Sequence, residues 1–160
     1  MSVGRICTRD VDLAETGESA LEAARRMEQR RVGTLVVVDA AGRPIGVLTD
    51  RDLALRVVAQ GCDARSTTVG HVMTKDPKTI SESTPIESAL SLMRSGSFRR
   101  LPVVNGDGKL VGTLSLDDVL ALLAEEFALI GGLLDRERPH PIAAVSGTTA
   151  RGAPSPATAS

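Results

Sequence analysis

The sequence predicts a mixed α/β fold made of two similar units, each with the order helix, strand, strand, helix after an extended lead-in. The first observation is an internal repeat: residues 5–60 align without a gap with residues 71–126, at a constant offset of 66. Eleven of the 56 aligned pairs are identical. The second observation is that helix-type and strand-type patterns recur at the same offset, as expected for repeated units that bury a shared core.

Each unit opens with a lead-in, Cys7–Glu15 or Met73–Glu82, that is long enough to add a strand. An amphipathic helix follows, because apolar residues recur at i, i+3, i+4 and i+7 in both units. The second of these helices has the clearer start signal, Thr84-Pro85-Ile86-Glu87, in which Thr84 can cap, Pro85 suits the first helical position and Glu87 can bond back to the cap. Ser19 and Glu22 could form the same capping box at the first helix. The matching apolar positions are Ala20, Ala23, Ala24 and Met27 in the first unit and Ile86, Ala89, Leu90 and Met93 in the second.

A β-hairpin and a second helix complete each unit. Short runs rich in β-branched residues, separated by turn residues that include Gly42 and Gly108, predict the hairpins. The runs are 34–39 and 44–49 in the first unit and 100–105 and 110–115 in the second. The second helices are expected from Asp50 to about Gln60 and from Leu116 to about Leu134, although Gly131-Gly132 could end the latter earlier.

The last helix carries an apolar stripe that is longer than one small unit can cover. Its members recur at helical spacing and are Leu116, Val119, Leu120, Leu123, Phe127, Ile130 and Leu134. Two interpretations remain open. Either the stripe folds over its own core, or it forms a dimer contact, since large exposed apolar patches are rare on monomers.

Composition divides the chain into four parts. We expect a first repeat at 1–61, a polar connector at 62–70, a second repeat with the longer last helix at 71–135, and a disordered tail at 136–160. The end of the chain is rich in Pro, Ala, Ser, Thr and Gly without periodicity, so the tail is left out of the predicted fold.

Several classes of protein are disfavoured by composition. The 160 residues carry a formal net charge of −1 and two aromatic residues, both Phe, so binding of nucleic acid by charge and base stacking is not expected. No apolar run approaches the roughly 20 residues of a membrane span. Charged residues near the N-terminus stand where a signal peptide needs apolar ones. These features predict a cytoplasmic protein without membrane contact, whose two cysteines are reduced.

The candidate site is a motif that occurs once in each unit, where the second strand meets the second helix. A Thr or Ser three residues before an acid is an N-capping signature, which by itself needs no ligand. The motif reads Gly46-Val47-Leu48-Thr49-Asp50-Arg51-Asp52 in the first unit and Gly112-Thr113-Leu114-Ser115-Leu116-Asp117-Asp118 in the second.

Three details of the motif favour a ligand. Both units use Asp where a capping box usually has Glu or Gln, and a short carboxylate can accept both hydroxyls of a vicinal diol such as ribose. Gly46 and Gly112 would let the backbone come close to a ligand ring. Thr49 and Ser115 stand at helix N-termini, where free N–H groups favour a phosphate. The motif therefore offers a ribose site beside a phosphate site.

The duplication, the lead-in Val72–Pro77, the strand Arg99–Val104 and the two motifs resemble a tandem pair of CBS domains, the repeat named after cystathionine β-synthase. The resemblance covers about Ile6–Glu126. It implies two βαββα-type units packed sheet to sheet around a pseudo-two-fold axis, leaving two clefts, in modules that often form dimers. It also implies regulation of an attached or partner protein through AMP, ADP, ATP or S-adenosylmethionine.

The resemblance assigns roles to matching positions of this sequence. Asp52 and Asp118 would accept the ribose hydroxyls, and Thr49 and Ser115 would lie on the phosphate side. Residues expected around adenine are Ile45 and Gly46 in one cleft and Val111 and Gly112 in the other, with Leu13 or Ile80 closing the pocket.

Phosphate contacts are expected from Arg99 and Arg100, which match family positions that often carry a basic residue. The first unit has no basic residue at the matching places, so its phosphate contacts would have to come from Arg51 or Arg31. We therefore predict that the second unit's cleft is the better site for an anionic nucleotide. That cleft is expected to use Ser115, Asp118 and Arg100.

No catalytic set is visible, since His71 and His140 are the only histidines, so we predict no enzyme and no required cofactor. Cys7, Cys62 and His71 lack the spacing of a zinc site, and no metal site is predicted. Two functions remain open. One is a stand-alone homodimeric module that senses an adenosine-containing ligand and signals to an unknown partner in trans. The other is a dimerisation scaffold that binds no ligand.

Overall fold

The computed structural model describes residues 1–96 and 98–137. In the first part of the chain it has a 3₁₀ turn at Val3–Arg5, β1 at Leu13–Ala14, α1 at Ala20–Arg30, β2 at Thr34–Val38, β3 at Pro44–Thr49, and α2 at Asp50–Leu53, which continues as a π-helical segment at Ala54–Val58. In the second part it has α3 at Val69–Val72, β4 at Thr74–Lys75, β5 at Ile80–Ser81, α4 at Ile86–Gly96, β6 at Arg100–Val104, β7 at Leu110–Ser115 and α5 at Leu116–Glu137. The predicted tail lies outside the described residues, except for positions 136 and 137, which belong to α5.

The mixed α/β class and both hairpins are confirmed. β2 pairs with β3, and β6 with β7, in antiparallel registers that repeat at the offset of 66. Each hairpin has a register shift at the matching place, between Val37 and Val38 and between Val103 and Val104. β1 and β5 run parallel to β2 and β6, so the lead-ins do add strands.

The lead-ins are exchanged between the repeats. β4 belongs to the second lead-in but pairs with β3 of the first repeat, completing a sheet with the order β1-β2-β3-β4. In return, Thr8 of the first lead-in bridges to Thr113 of β7, at the edge of the sheet β5-β6-β7, through two backbone hydrogen bonds of 2.9 Å. Each sheet is therefore extended at one edge by the other repeat.

Each repeat buries a core of its own. Leu35 and Leu48 lie in the first core and Leu101 and Leu114 in the second, all fully buried. Val36 is also buried but belongs to neither core, because successive side chains of a strand point to opposite faces. Pro102, its counterpart in β6, is buried in the same way. The central strands are thus covered on both faces, as expected when the two sheets pack against each other.

α1 begins with the predicted capping box. The Ser19 hydroxyl oxygen accepts a hydrogen bond from the Glu22 amide at 3.2 Å, and the Ser19 amide donates to the Glu22 carboxylate at 2.9 Å. The bonds that Glu22 accepts from the amide and hydroxyl of Ser19 lower the pKa of this carboxyl. The helix that carries the first core's Ala20, Ala23 and Met27 is fixed at its start.

Gly46 and Gly112 lie where the exchanged lead-ins come closest to the sheets. A Cβ on Gly112 would lie 2.8 Å from the Thr8 carbonyl oxygen and 2.9 Å from the Cys7 sulfur. A Cβ on Gly46 would collide with the sulfur of Met73, the residue that matches Cys7 in the repeat. The lead-ins fill the space left by these glycines, where the sequence led us to expect the approach of a ligand ring.

α5 extends past the second core. It continues through Gly131-Gly132 to Glu137, so these glycines do not end it. Val119 is buried in the second core, whereas Phe127 is 70% exposed. The exposed members of the predicted stripe are Leu120, Leu123, Phe127, Ile130 and Leu134. No helix in the described part of the chain combines the length and apolar character needed to cross a bilayer.

We predict that Gly112→Ala destabilises the fold by about 1–3 kcal/mol, the range for overpacking a filled site. The added methyl group would meet the backbone of Thr8, which is held by its bridge to Thr113. Gly131→Ala is the control, since a Cβ there meets nothing within 4 Å. Thermal melts followed by circular dichroism should show a lower Tm for Gly112→Ala and an equal or higher Tm for Gly131→Ala. An unchanged Tm for Gly112→Ala would contradict the role of this glycine.

Candidate functional site

Both motifs form capping boxes. In the first, the Thr49 hydroxyl oxygen accepts from the Asp52 amide at 3.1 Å, and the Thr49 amide donates to Asp52 Oδ2 at 2.9 Å. In the second, the equivalent distances between Ser115 and Asp118 are 3.1 and 2.7 Å. The hydroxyl of Thr49 or Ser115 also donates to the same Oδ2. Asp thus fills the place that Glu usually has in such a box.

The other carboxylate oxygen of each Asp lies beside an exchanged lead-in. Asp52 Oδ1 is 3.2 Å from the guanidinium of Arg56, which also donates to the hydroxyl of Thr74. Asp118 Oδ1 accepts a long hydrogen bond, 3.3 Å, from the hydroxyl of Thr8. Each carboxylate therefore uses one oxygen for the cap and holds the second one near the lead-in of the other repeat.

A cleft of about 750 Å³ is lined by Thr49 and Asp52, a volume within the roughly 300–1,000 Å³ of small-molecule pockets. Both repeats contribute to it. Its four basic side chains exceed its three acidic ones, so the lining carries a net positive charge. The basic residues are Arg51, Lys78, Arg99 and Arg100, and the acids are Asp50, Asp52 and Asp117. Apolar contacts are available from Val47, Phe98, Leu101 and Leu116.

The second cleft, lined by Ser115 and Asp118, is much smaller, about 110 Å³. Arg100 is the one basic side chain in its lining, against the acids Asp10, Asp12 and Asp118. Arg30 donates to Asp12 at 2.6 Å and to Asp10 at 2.9 Å, and these bonds raise the pKa of its guanidinium. The smaller cleft is therefore negatively charged, and two of its acids already have a cationic partner.

The duplicated architecture is matched by the family model of the CBS domain, once at residues 3–59 and once at residues 69–125. The chain belongs to the CBS domain family. It is 35% identical over 120 residues to an uncharacterized protein of Methanopyrus kandleri, an alignment that covers 75% of this chain and 61% of that protein. It is 33% identical over 123 residues to a 17.7 kDa protein of Acidianus ambivalens, covering 77% of this chain and 73% of that one.

Solved structures of CBS pairs have the same fold. The structure of CBSX2, a CBS-pair protein of Arabidopsis thaliana, in complex with AMP has a TM-score of 0.69 with this chain at 27% identity. The match covers 78% of this chain and 97% of CBSX2. The two sheets and their helices are thus those of a tandem CBS pair.

The arginines of this CBS pair are distributed differently from our expectation. Arg99 lines the larger cleft, together with Thr49 and Asp52, and Arg100 lines both clefts. From the sequence we expect both arginines in the cleft of the second motif and expect that cleft to be the better site for an anion. The structure instead gives the larger volume and most of the positive charge to the cleft of the first motif, where Arg51 also lies.

Six residues expected around adenine line neither described cleft: Leu13, Ile45, Gly46, Ile80, Val111 and Gly112. Ile80 is 6% exposed, pairs with Val103 and belongs to the second core. Val111 packs against the same core. Gly46 and Gly112 lie beneath the lead-ins. The contacts of these positions with adenine therefore stay a prediction from the sequence.

Several residues of the larger cleft were missed from sequence, among them its one lysine and its one phenylalanine. Lys78 and Phe98 match Asp12 and Val32 at the offset of 66, and these matching residues line the smaller cleft. The repeat alignment contained this signal. It could be used only if the lead-in of one repeat was known to meet the motif of the other.

The two cysteines have different surroundings. Cys7 is buried in the second core, and burial raises the pKa of its thiol. Cys62 is exposed in the connector. Among residues 1–96 and 98–137, no group of three or more His, Cys, Asp or Glu side chains is placed to hold a metal ion.

We predict that one thiol reacts rapidly with Ellman's reagent in the folded protein. Cys62 is accessible, whereas the Cys7 thiolate, the reactive form, is both covered and disfavoured by its raised pKa. An absorbance assay should show one fast thiol under native conditions and two in denaturant. Cys62→Ser should remove the fast phase. Two fast thiols in the native wild type would contradict the buried position of Cys7.

Proposed function

We propose that this CBS pair is a regulatory module, and not an enzyme, that binds an adenosine-containing ligand in the larger cleft and signals to a partner protein in trans. The observation that carries the proposal is the set of groups around this cleft: a capped Asp52 carboxylate beside Arg51, Arg99 and Arg100. CBSX2, a CBS pair with the same fold, has been crystallised with AMP, which supports an adenine nucleotide as the ligand class.

The cleft matches the two polar ends of a nucleotide. Asp52 Oδ1 is not used by the capping box and is available to a ribose diol, at the cost of rearranging its contact with Arg56. Guanidinium groups bind phosphate oxygens in a bidentate manner and remain charged at all physiological pH values. The net positive lining favours AMP, ADP or ATP over S-adenosylmethionine, which carries a sulfonium cation.

We predict that an adenine nucleotide raises the Tm of the protein, while GTP does not. A ligand at 100 times its Kd adds about 2.7 kcal/mol to the stability of the native state. Asp52→Asn should weaken binding roughly 10- to 150-fold, because it removes hydrogen bonds to a charged acceptor. Melts should be monitored by circular dichroism or by a dye, because a chain without Trp or Tyr gives little intrinsic fluorescence.

Two matched controls make this measurement specific. Asp107→Asn removes the same charge on the exposed turn between β6 and β7 and should leave the ligand-induced shift unchanged. Asp118→Asn makes the same change in the smaller cleft and should have the weaker effect. A larger loss for Asp118→Asn than for Asp52→Asn would return the site to the second motif. No shift with any adenosyl compound would favour the ligand-free scaffold.

We also propose that the protein is a homodimer formed through α5. The exposed stripe on this helix supports the proposal, because Leu123, Phe127 and Ile130 are 45%, 70% and 50% exposed on the isolated chain. Contiguous apolar surface of this kind is uncommon on soluble monomers. The same contact would serve either function, since a sensor and a scaffold can both dimerise.

Phe127→Asp is expected to convert the dimer to a monomer, because a carboxylate buried without a partner in an apolar interface costs several kcal/mol. Light scattering coupled to size-exclusion chromatography measures this directly. Glu125→Gln, a charge change at another exposed position of α5, is the control and should remain dimeric. A monomeric wild type would exclude the proposed contact.

A further inference from the structure

Arg100 and Thr34 line both clefts at once. The two residues match each other at the repeat offset of 66, and each is the first residue of a central strand. They therefore stand at matching places of the two repeats, on the boundary between the two clefts. At this shared boundary the first repeat has a short neutral side chain and the second has a guanidinium.

The strand registers fix the place of both residues. Thr34 pairs with Thr49 and Arg100 pairs with Ser115, the two capping residues. Residues directly opposite on antiparallel strands have Cβ atoms about 4.5–5.5 Å apart. The backbone of Arg100 thus lies beside the motif of the smaller cleft. Arg100 also forms part of the wall of the larger cleft.

Arg100 is exposed, and among the side chains that the structure describes its guanidinium has no hydrogen-bond or ion-pair partner, so its charge is available. The larger cleft has three more basic residues, Arg51, Lys78 and Arg99. The lining of the smaller cleft has no other, and it includes three acids. When the Arg100 guanidinium faces one cleft, the other cleft loses that positive charge. The larger cleft then keeps three basic side chains in its lining, but the smaller cleft keeps no basic side chain.

We propose that the two clefts compete for the guanidinium of Arg100, so that one anionic nucleotide binding in the larger cleft disfavours a second in the smaller one. The inference rests on the proposed adenosyl-ligand function and specifies how many anionic ligands the pair holds. One charge-assisted contact is worth roughly a 10- to 150-fold change in Kd. The second ATP molecule therefore binds at least about tenfold more weakly than the first.

Isothermal titration calorimetry with ATP tests the competition, using wild type, Arg100→Thr and Thr34→Arg. The decisive result is which Kd changes. Arg100→Thr should weaken the first binding event roughly 10- to 150-fold and leave the second unchanged, because in the wild type the second event already takes place without Arg100. Thr34→Arg provides a second guanidinium at the shared boundary and should strengthen the second event by about tenfold or more, with the first little changed.

Other outcomes of the titrations would contradict either the competition for Arg100 or the proposed function. Two ATP molecules bound to wild type with equal Kd, or two Kd values that weaken equally in Arg100→Thr, would overturn the competition and leave the ligand-binding function in place. Wild type that binds none of ATP, ADP, AMP and S-adenosylmethionine would overturn the proposed function itself. Circular dichroism confirms that each variant is folded. If Thr34→Arg fails to fold, the comparison of wild type with Arg100→Thr still decides the question.

Discussion

The reciprocal exchange of lead-ins is the constraint on which the rest of the structure depends. β4 pairs with β3, and Thr8 with Thr113, so neither sheet is completed by its own repeat. Backbone groups at a sheet edge need partners, and here those partners come from the other half of the chain. The two repeats are therefore tied by hydrogen bonds as well as by packing. Gly46 and Gly112 are fixed by the same arrangement, because the lead-ins cross directly over them.

The exchange also explains why two related clefts have opposite charge. Each cleft combines the motif of one repeat with the lead-in of the other. The first lead-in brings Asp10 and Asp12 to the motif of Ser115, whereas the second brings Lys78 to the motif of Thr49. Divergence at a few lead-in positions thus changes the charge of a cleft while its capping box stays the same. A pseudo-symmetric fold acquires two unlike sites without changing its topology.

The exchange of lead-ins also determines how much of the structure could be predicted from the sequence. The hairpins, the amphipathic helices and the capping boxes of Ser19, Thr49 and Ser115 were predicted correctly, because they are local patterns. The hairpins and the boxes of Thr49 and Ser115 also recur at a constant offset. The lead-in strands were predicted to exist, but no local pattern states which sheet they join. For that reason the sequence did not lead us to expect Met73 over Gly46, Arg99 in the larger cleft, or Lys78 beside Thr49. The continuation of α5 through Gly131-Gly132 is likewise a matter of context, since two glycines cost a helix only about 1 kcal/mol each.

Capping and ligand binding, which the sequence presented as alternatives, are compatible in the structure. The cap uses Oδ2 of Asp52 and Asp118, and the amide and hydroxyl bonds to this oxygen fix the orientation of the whole carboxylate. A group that is already held in place loses less conformational entropy when it binds a ligand. Glu, with one more rotatable bond, could close the same box but would set its second oxygen less rigidly. The short Asp is therefore the residue that lets one side chain begin a helix and face a cleft at the same time.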